Sequence, residues 1–404
     1  MPFEKDFQPV LRFAVVSDIH YKDEDSVERS RMKSAVETAY LLSSGEDYPK
    51  LDALCVVGDF ANSGTDTQMR AFKQTLDDTV KIETEVIVSL ASHEFSSDGE
   101  ENALRRFDDI FGMPADVHKV INGYHFISLS CTKGCHFDDA KKEWASAELK
   151  KAAKDDPKKP IFFFQHPHIS GTVYGSANWG EDELTPILMN YPQIIDFSGH
   201  SHAPINDPRS IHQQHFTSLG TGTLSYFELD EFDKVYGTIP PGNKKAAQML
   251  IIEADAQNRV RVYPYDLISG NFFPYTWKID TAWDCESFIY TSERYKNPTL
   301  PRFPEGAVAK IGDITSNGFT VTFDQAEISE DYVDDYVVSI KNGRGITVRR
   351  AAVWSEYYFY DMPETLSVKF DGLDAGEEYY AEIYAKGFWN NRCEIPLKSG
   401  TVKL

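Results

Sequence analysis

Apolar runs that each end in a carboxylate or an imidazole organise the first half of this chain. Phe13-Ala14-Val15-Val16 runs into Ser17-Asp18-Ile19-His20, and Leu54-Cys55-Val56-Val57 runs into Gly58-Asp59. Val86-Ile87-Val88-Ser89-Leu90 leads to Ala91-Ser92-His93-Glu94, and Ile161-Phe162-Phe163-Phe164 leads to Gln165-His166-Pro167-His168. Ile194-Ile195-Asp196-Phe197 leads to Ser198-Gly199-His200-Ser201-His202. Short continuous apolar runs read as buried, parallel-type strands. Between them the period changes. Val27, Met32, Ala35, Val36, Ala39 and Leu42 share one face of a helix over 26–44, with Asp25 or Ser26 as its N-cap. Further helices are predicted over 67–81, 102–111 and 140–155, and a turn near Asn122-Gly123. Strand, helix, strand, helix predicts a largely parallel α/β sheet covered on its faces. Ligands bind at the carboxyl ends of such strands, so five strands ending in Asp or His mark one edge of one sheet as the site. Asp59 is its expected centre.

Two loops are expected beside that edge. Residues 171–182 leave directly from His168, and 223–245 are long and irregular, either a substrate-side loop or a disordered one. Tyr21, His168, Tyr174 and Trp179 are candidates to line a pocket, each equally compatible with loop packing. Towards the C-terminal quarter the texture changes. Pro298, Pro301 and Pro304 read as a semi-rigid linker. Beyond it, Phe319-Thr320-Val321-Thr322-Phe323 and Val368-Lys369-Phe370 alternate with period two, as in a small β-sandwich. The segment from Leu373 to Ile383 resembles the tyrosine corner of fibronectin type III modules, which implies that Tyr379 bonds back to the corner while Tyr379, Ala381 and Ile383 point inward. The expected organisation is 1–295 for the α/β domain, 296–304 for the linker and 305–404 for a fibronectin type III-like sandwich. The sandwich holds no cluster of catalytic residue types, so a spacer or a docking module for a protein partner is expected there.

Composition narrows the partners. With 404 residues, 41% hydrophobic and 26% charged, the chain has the balance of a globular protein long enough for two domains. No apolar run approaches the roughly 18 residues of a membrane span, so no membrane partner is expected. The start, Met-Pro-Phe-Glu-Lys-Asp-Phe, lacks a basic segment followed by an apolar core, which sets a cytoplasmic location as the expectation. A formal charge of −22 disfavours long nucleic acid. It leaves room for a phosphate-ester small molecule, because a local metal cluster outweighs a diffuse negative field. Five cysteines, Cys55, Cys131, Cys135, Cys285 and Cys393, fit reduced thiols better than a disulfide framework. Cys131 and Cys135 suggest a redox pair or a metal site, but without a second pair incidental spacing is the expectation.

The chemistry lies in Asp18, His20, Asp59, His166, His200 and His202. Imidazole and carboxylate together suit zinc, manganese, iron and nickel. Isolated histidines such as His118, His125, His136, His212 and His215 are expected to be hydrogen-bonded only. Asp-x-His and His-x-His differ, because residues two apart on an extended segment point the same way. Six donors exceed the need of one tetrahedral ion, so two ions sharing a carboxylate, with Asp59 as bridge, are expected. Such a pair clamps a phosphoryl group and supplies a hydroxide nucleophile near neutral pH.

Asp18-x-His20, Gly58-Asp59, His93-Glu94, His166 and Gly199-His200-x-His202, in this order, resemble the calcineurin-like metallophosphoesterases over about residues 10–270. The resemblance implies a four-layer αββα sandwich and a dinuclear centre of two divalent or trivalent ions. It implies Asp18, His20 and His202 on one ion, His166 and His200 on the other, and Asp59 between them. His93 is implied as the catalytic residue that stabilises phosphate charge or protonates the leaving oxygen. Ser92 stands where the family carries an asparagine ligand, so it is expected as a weak or indirect ligand that loosens the second ion. Asn62 stands where the family's protein phosphatases carry the aspartate that orients the histidine. The implied activity is hydrolysis of phosphate mono- or diesters by a phosphatase or phosphodiesterase. The alternative is a catalytically weakened member acting as a binding or scaffold protein.

Overall fold

The computed structural model describes residues 3–404 except 5, 23, 24, 45, 46, 133 and 330. Two compact units divide the chain: Met1–Asp230 with Gly242–Thr291, and Glu231–Pro241 with Ser292–Leu404.

In the first unit the apolar runs become β1 (Pro9–Val16), β2 (Ala53–Val57), β3 (Glu85–Ser89), β4 (Val117–Ile121), β5 (Tyr124–Ser128) and β6 (Ile161–Phe164). Two short strands, β7 (His168–Ile169) and β8 (Gly180–Glu181), pair with each other. Then come β9 (Ile194–Ser198), β10 (Ile211–Gln213), β11 (Thr217–Gly220), β12 (Gln248–Asp255), β13 (Val260–Asp266), β14 (Asn271–Phe272) and β15 (Trp277–Ile279). Helices α1 (Val27–Ser44), α2 (Asp66–Thr79), α3 (Glu100–Phe111) and α4 (Asp139–Asp155) alternate with the early strands. The predicted helix starts fall within two residues of these, which is ordinary fraying.

The strands form two mixed sheets, as the αββα resemblance implies, where the apolar pattern alone reads as one largely parallel sheet. One runs β14-β13-β12-β1-β2-β3, with β15 beside β13, and the other runs β10-β11-β9-β6-β5-β4. The neighbours β1, β2 and β3 are parallel, as are β5, β6, β9 and β11, while the edges are antiparallel. Alternation along each strand fixes the layering. Phe13 and Val15 of β1 pack in one core with Phe126, Phe162, Phe164 and Phe197 of the other sheet. The neighbours Ala14, Val16, Ile127 and Phe163 face a second core built with Met32, Phe72, Phe107 and Leu149 of the four helices. Helix, sheet, sheet, helix is the αββα order. The Asn122-Gly123 turn joins β4 to β5 with φ of 48° and 80°, the left-handed pair that a tight hairpin needs.

The second unit is all β. β16 (Ala309–Gly312), β17 (Gly318–Asp324) and β20 (Thr365–Asp371) form one sheet. β18 (Val333–Asn342), β19 (Thr347–Trp354), β21 (Glu378–Gly387), β22 (Leu397–Lys398) and β23 (Val402–Lys403) form the other. Alternate residues, among them Phe319, Val321, Phe323, Val338 and Ile340, fill the core between them. Tyr379, Ala381 and Ile383 point into it, and the Tyr379 hydroxyl accepts from Asp374 N at 3.0 Å and donates to Asp374 O at 3.2 Å. This is the tyrosine corner of a fibronectin type III-like sandwich. Two expectations need correction. Residues 298–304 are not a free linker: Arg302 and Glu327 exchange both backbone hydrogen bonds at 2.8 Å, and Phe303 packs on the core. Glu231–Pro241 clusters with the sandwich because Lys234, fully buried, pairs with Asp335 at 2.8 Å, and Val235 N donates to Ala352 O.

Candidate metal centre

The loops that follow β1, β2 and β3 carry Asp18, His20, Asp59 and His93, and the loops after β6 and β9 carry His166, His200 and His202. The two sheets therefore supply the site jointly, because their parallel strands end at the same place. Five of these residues have left-handed backbone: φ is 50° at Asp18, 53° at His20, 47° at Asp59, 72° at His200 and 56° at His202. Non-glycine residues avoid that region, and such strain collects at functional sites. The preceding glycines have a steric reason. A Cβ on Gly58 would stand 2.6 Å from the His166 ring, and one on Gly199 would collide with an Asp18 carboxylate oxygen.

Hydrogen bonds fix each donor. Ser17 Oγ donates to Asp18 Oδ2 at 2.6 Å, and His200 N donates to both Asp18 oxygens at 3.1–3.2 Å. His93 N donates to Asp59 Oδ1 at 3.0 Å. Val57 O, 2.8 Å from His166 Nδ1, holds that ring's proton on Nδ1, and Tyr226 O does the same for His202 at 2.9 Å. In the neutral rings both Nε2 atoms then offer lone pairs. Burial opposes charge on His166, but Asp59 and Asp18 outweigh it and hold its pKa above the usual histidine value, so a proton competes with a cation for that Nε2. His166 Nε2 faces Asp59 Oδ2 at 3.0 Å and Asp18 Oδ1 at 3.8 Å, and makes no hydrogen bond. His202 Nε2 faces Asp18 Oδ1 at 3.3 Å and His20 Nε2 at 3.0 Å. Lone pairs converge on one another in a space where these side chains are all but closed to water. Such an arrangement is costly without cations between the donors, and this donor chemistry fits transition-metal ions.

The same burial shapes the charges. It pushes the Asp18 carboxyl up to about 6 and the His20 imidazole down to about 4. Burial also pushes the Asp59 carboxyl up, but His166, His93 and His20 outweigh it and hold Asp59 below the usual carboxylate range. Asp18 and Asp59 with His166, Asp18 with His20 and His202, and His20 with Asp59 and His93 each bring ligand atoms within 4.8 Å of one another.

His93 is half-buried, with Asn62 O 2.7 Å from its Nδ1, and its ring meets His20 edge-on at 4.4 Å between centroids. It is the backbone of Asn62 that orients it; the Asn62 amide donates to Ser63 Oγ at 3.2 Å. Ser92, half-buried, opens the 3₁₀ turn Ser92–Phe95 on which His93 sits. Of the pocket candidates, Trp179 packs edge-on against His200 at 5.2 Å. The others pack elsewhere. Tyr21 bonds Thr75 at 2.7 Å, His168 spends both nitrogens on Ser198 and Ser201, and Tyr174 lies under the Arg209 guanidinium. His118 and His125 are hydrogen-bonded to each other and to Glu148 and Asp155, as expected for structural histidines.

Two further residues reach the site. Glu94, fully buried, accepts from Asp59 N, Ala61 N and Ala91 N at 2.8–3.1 Å and so ties the loop after β2 to the loop after β3. Its place directly after His93 was the available signal. Cys135 Sγ lies 4.0 Å from His200 Nδ1, because β5 ends at the same edge as its neighbours. The Cys131–Cys135 spacing suggests a metal site among other readings, but nothing in it points to His200.

The calcineurin-like phosphoesterase family profile matches residues 11–204. No curated protein matches the chain closely enough to count as a relative. Among solved structures, the purple acid phosphatase PPD1 from yellow lupin (Lupinus luteus) seeds is similar over 69% of this chain at 12% identity and a TM-score of 0.45. This chain spans 55% of that protein's length. PhoD is similar over 72% of this chain and 75% of its own, at 10% identity and a TM-score of 0.39. A two-module fibronectin type III segment of chicken tenascin covers 40% of this chain and 73% of its own, at 21% identity and a TM-score of 0.20. The profile spans the chain from β1 through the Gly199-His200-x-His202 block, so residues 11–204 are similar to the calcineurin-like phosphoesterases.

Proposed function

We propose that this protein is a metal-dependent hydrolase of phosphate mono- or diesters that works with two ions. The observation that carries the reading is the convergence of bare imidazole lone pairs and two carboxylates in one buried space. Asp18, His20 and His202 would hold one ion and His166 and His200 the other, with Asp59 shared. When bound, such ions polarise the phosphoryl group and bring the pKa of water toward neutrality. The protein's own groups do the rest. Glu94 fixes the Asp59 backbone, and Asn62 O keeps one proton of His93 on Nδ1. That leaves His93 Nε2 to hold or deliver the proton the leaving oxygen needs.

A dialysed sample given Mn, Zn, Ni or Fe in turn, and assayed on an aryl phosphate and an aryl phosphodiester, tests this. Turnover that depends on the added ion is the expected result. Tight ion binding with no turnover on either ester would replace the hydrolase by a binding protein.

A further inference from the structure

We propose that Cys135 is a ligand of the second ion, its thiolate completing a pocket with His166 Nε2 and His200 Nδ1 that takes a thiophilic ion such as zinc. The inference rests on the two-ion reading above and adds to it a ligand and an ion preference. Cys135, His166 and His200 place one ligand atom each within 4.8 Å of one another. The 4.0 Å between Cys135 Sγ and His200 Nδ1 is the outer limit for a thiol hydrogen bond. It is close to the roughly 3.6 Å that a tetrahedral zinc with ordinary Zn–S and Zn–N bonds sets between two ligands. His166 Nε2, fully buried and without a hydrogen-bond partner, is aimed into the same group.

The loop that carries the thiol is held in place. Cys131 N donates to Leu90 O at 3.1 Å, which ties it to the end of β3. Thr132 donates to His136 O through both its N and its Oγ1, at 2.8 and 2.9 Å, closing a turn around Cys135. Phe137 N donates to Glu183 Oε2 at 2.5 Å on the far side of the turn. Donor count points the same way. A serine hydroxyl at position 92 is a weak neutral donor. Asp59, His166 and His200 would supply three ligands and Cys135 a fourth, with water or substrate entering as a fifth during turnover. Thiolate and imidazole together select zinc over manganese or magnesium. The thiol proton is released to solvent as the ion binds.

Cobalt(II), a coloured stand-in for zinc, reads this out on the reduced full-length protein under anaerobic conditions. The second equivalent should bring in a near-ultraviolet thiolate-to-cobalt absorption. Cys135→Ser should lose that band, keep the first equivalent and bind the second about 10- to 100-fold more weakly. Cys285→Ser should keep the band. In the wild type, alkylation of Cys135 followed by mass spectrometry should be blocked by the second equivalent, a readout that needs no variant. Cobalt uptake without the band, a band that survives Cys135→Ser, or equal alkylation of apo and loaded protein would each overturn the assignment. Ion-dependent ester hydrolysis without the band would sink the thiolate ligand alone. A band without hydrolysis would sink the hydrolase alone, and no cobalt uptake would sink both.

Discussion

Two buried acidic clusters in this molecule solve the same electrostatic problem in opposite ways. In the second unit, Glu231, Asp334 and Asp335 gather around Lys234, whose Nζ lies 2.8 Å from Asp335, 2.9 Å from Glu231 and 2.7 Å from Asp233. Lys386 adds a second cation at 2.9 Å from Asp335, and the Trp354 ring lies 4.0 Å from the Lys234 ammonium. Burial disfavours the charge on Lys234, yet Asp335 and Glu231 outweigh it and hold its pKa above the usual lysine value. That cluster carries its own cations. In the first unit, Asp18 and Asp59 are just as buried, but among the described residues neither forms an ion pair with lysine or arginine. Imidazoles surround them instead, two with lone pairs turned inward. A buried carboxylate pair needs positive charge from somewhere, and this one is built to receive it from outside.

The largest expected effect concerns the chemistry that the cation-free cluster serves. His93→Gln should lower kcat by about 10²- to 10⁴-fold, the usual worth of a positioned proton donor, and leave ion content unchanged. Steady-state kinetics with metal analysis of the same sample checks it, and an equal loss of bound ions would make His93 a ligand instead.

Lys234→Met breaks the other cluster. Leaving buried carboxylates without their central cation should cost about 3–5 kcal/mol, seen as a lower denaturant midpoint for the second unit. Ion content should not change. A variant as stable as wild type would mean that Lys386 alone suffices.

Glu94→Gln sharpens the first cluster. Glutamine has one acceptor oxygen where the carboxylate uses both, so at least one of the three N–H groups loses its partner, at about 1–3 kcal/mol. Ion affinity should fall about 10- to 100-fold as the Asp59 backbone loosens, measured by competition against a chelating dye. Unchanged affinity would reduce Glu94 to fold support.

How much of this was legible in one dimension follows from what each feature depends on. The apolar runs and the Asp-x-His and His-x-His pairs are local, so strands, strand ends and most donors can be read from the residues themselves. Which sheet a strand joins is not local. Val56 and Phe163 look alike in sequence, and only packing sends them to different sheets. Cys135 escaped because its role depends on where β5 ends, and Lys234 because its partners Asp335 and Lys386 lie about a hundred residues or more away in the chain. Asn62 was read by its side chain, whereas the structure uses its carbonyl.

The smallest effect is in pH. Asp18, pushed up to about 6 by burial, must give up its proton before it can hold an ion. Proton and cation compete, so affinity for the ion on the Asp18, His20 and His202 side should be flat above about pH 6 and fall about tenfold per unit below it. Titrations at pH 7, 6 and 5 read the slope. Affinity independent of pH across that span would mean that Asp18 is already ionised in the empty site.

Metal analysis of Asp59→Asn tests the central claim most directly. The wild type, purified and saturated with zinc or manganese, should hold two ions. Asp59→Asn, which keeps the shape of the side chain and removes the shared charge, should lose most of both. His212→Ala, a histidine outside the cluster, should match the wild type. Full two-ion content in Asp59→Asn would contradict the claim that the buried carboxylate between the two sheets is what the ions are bound for.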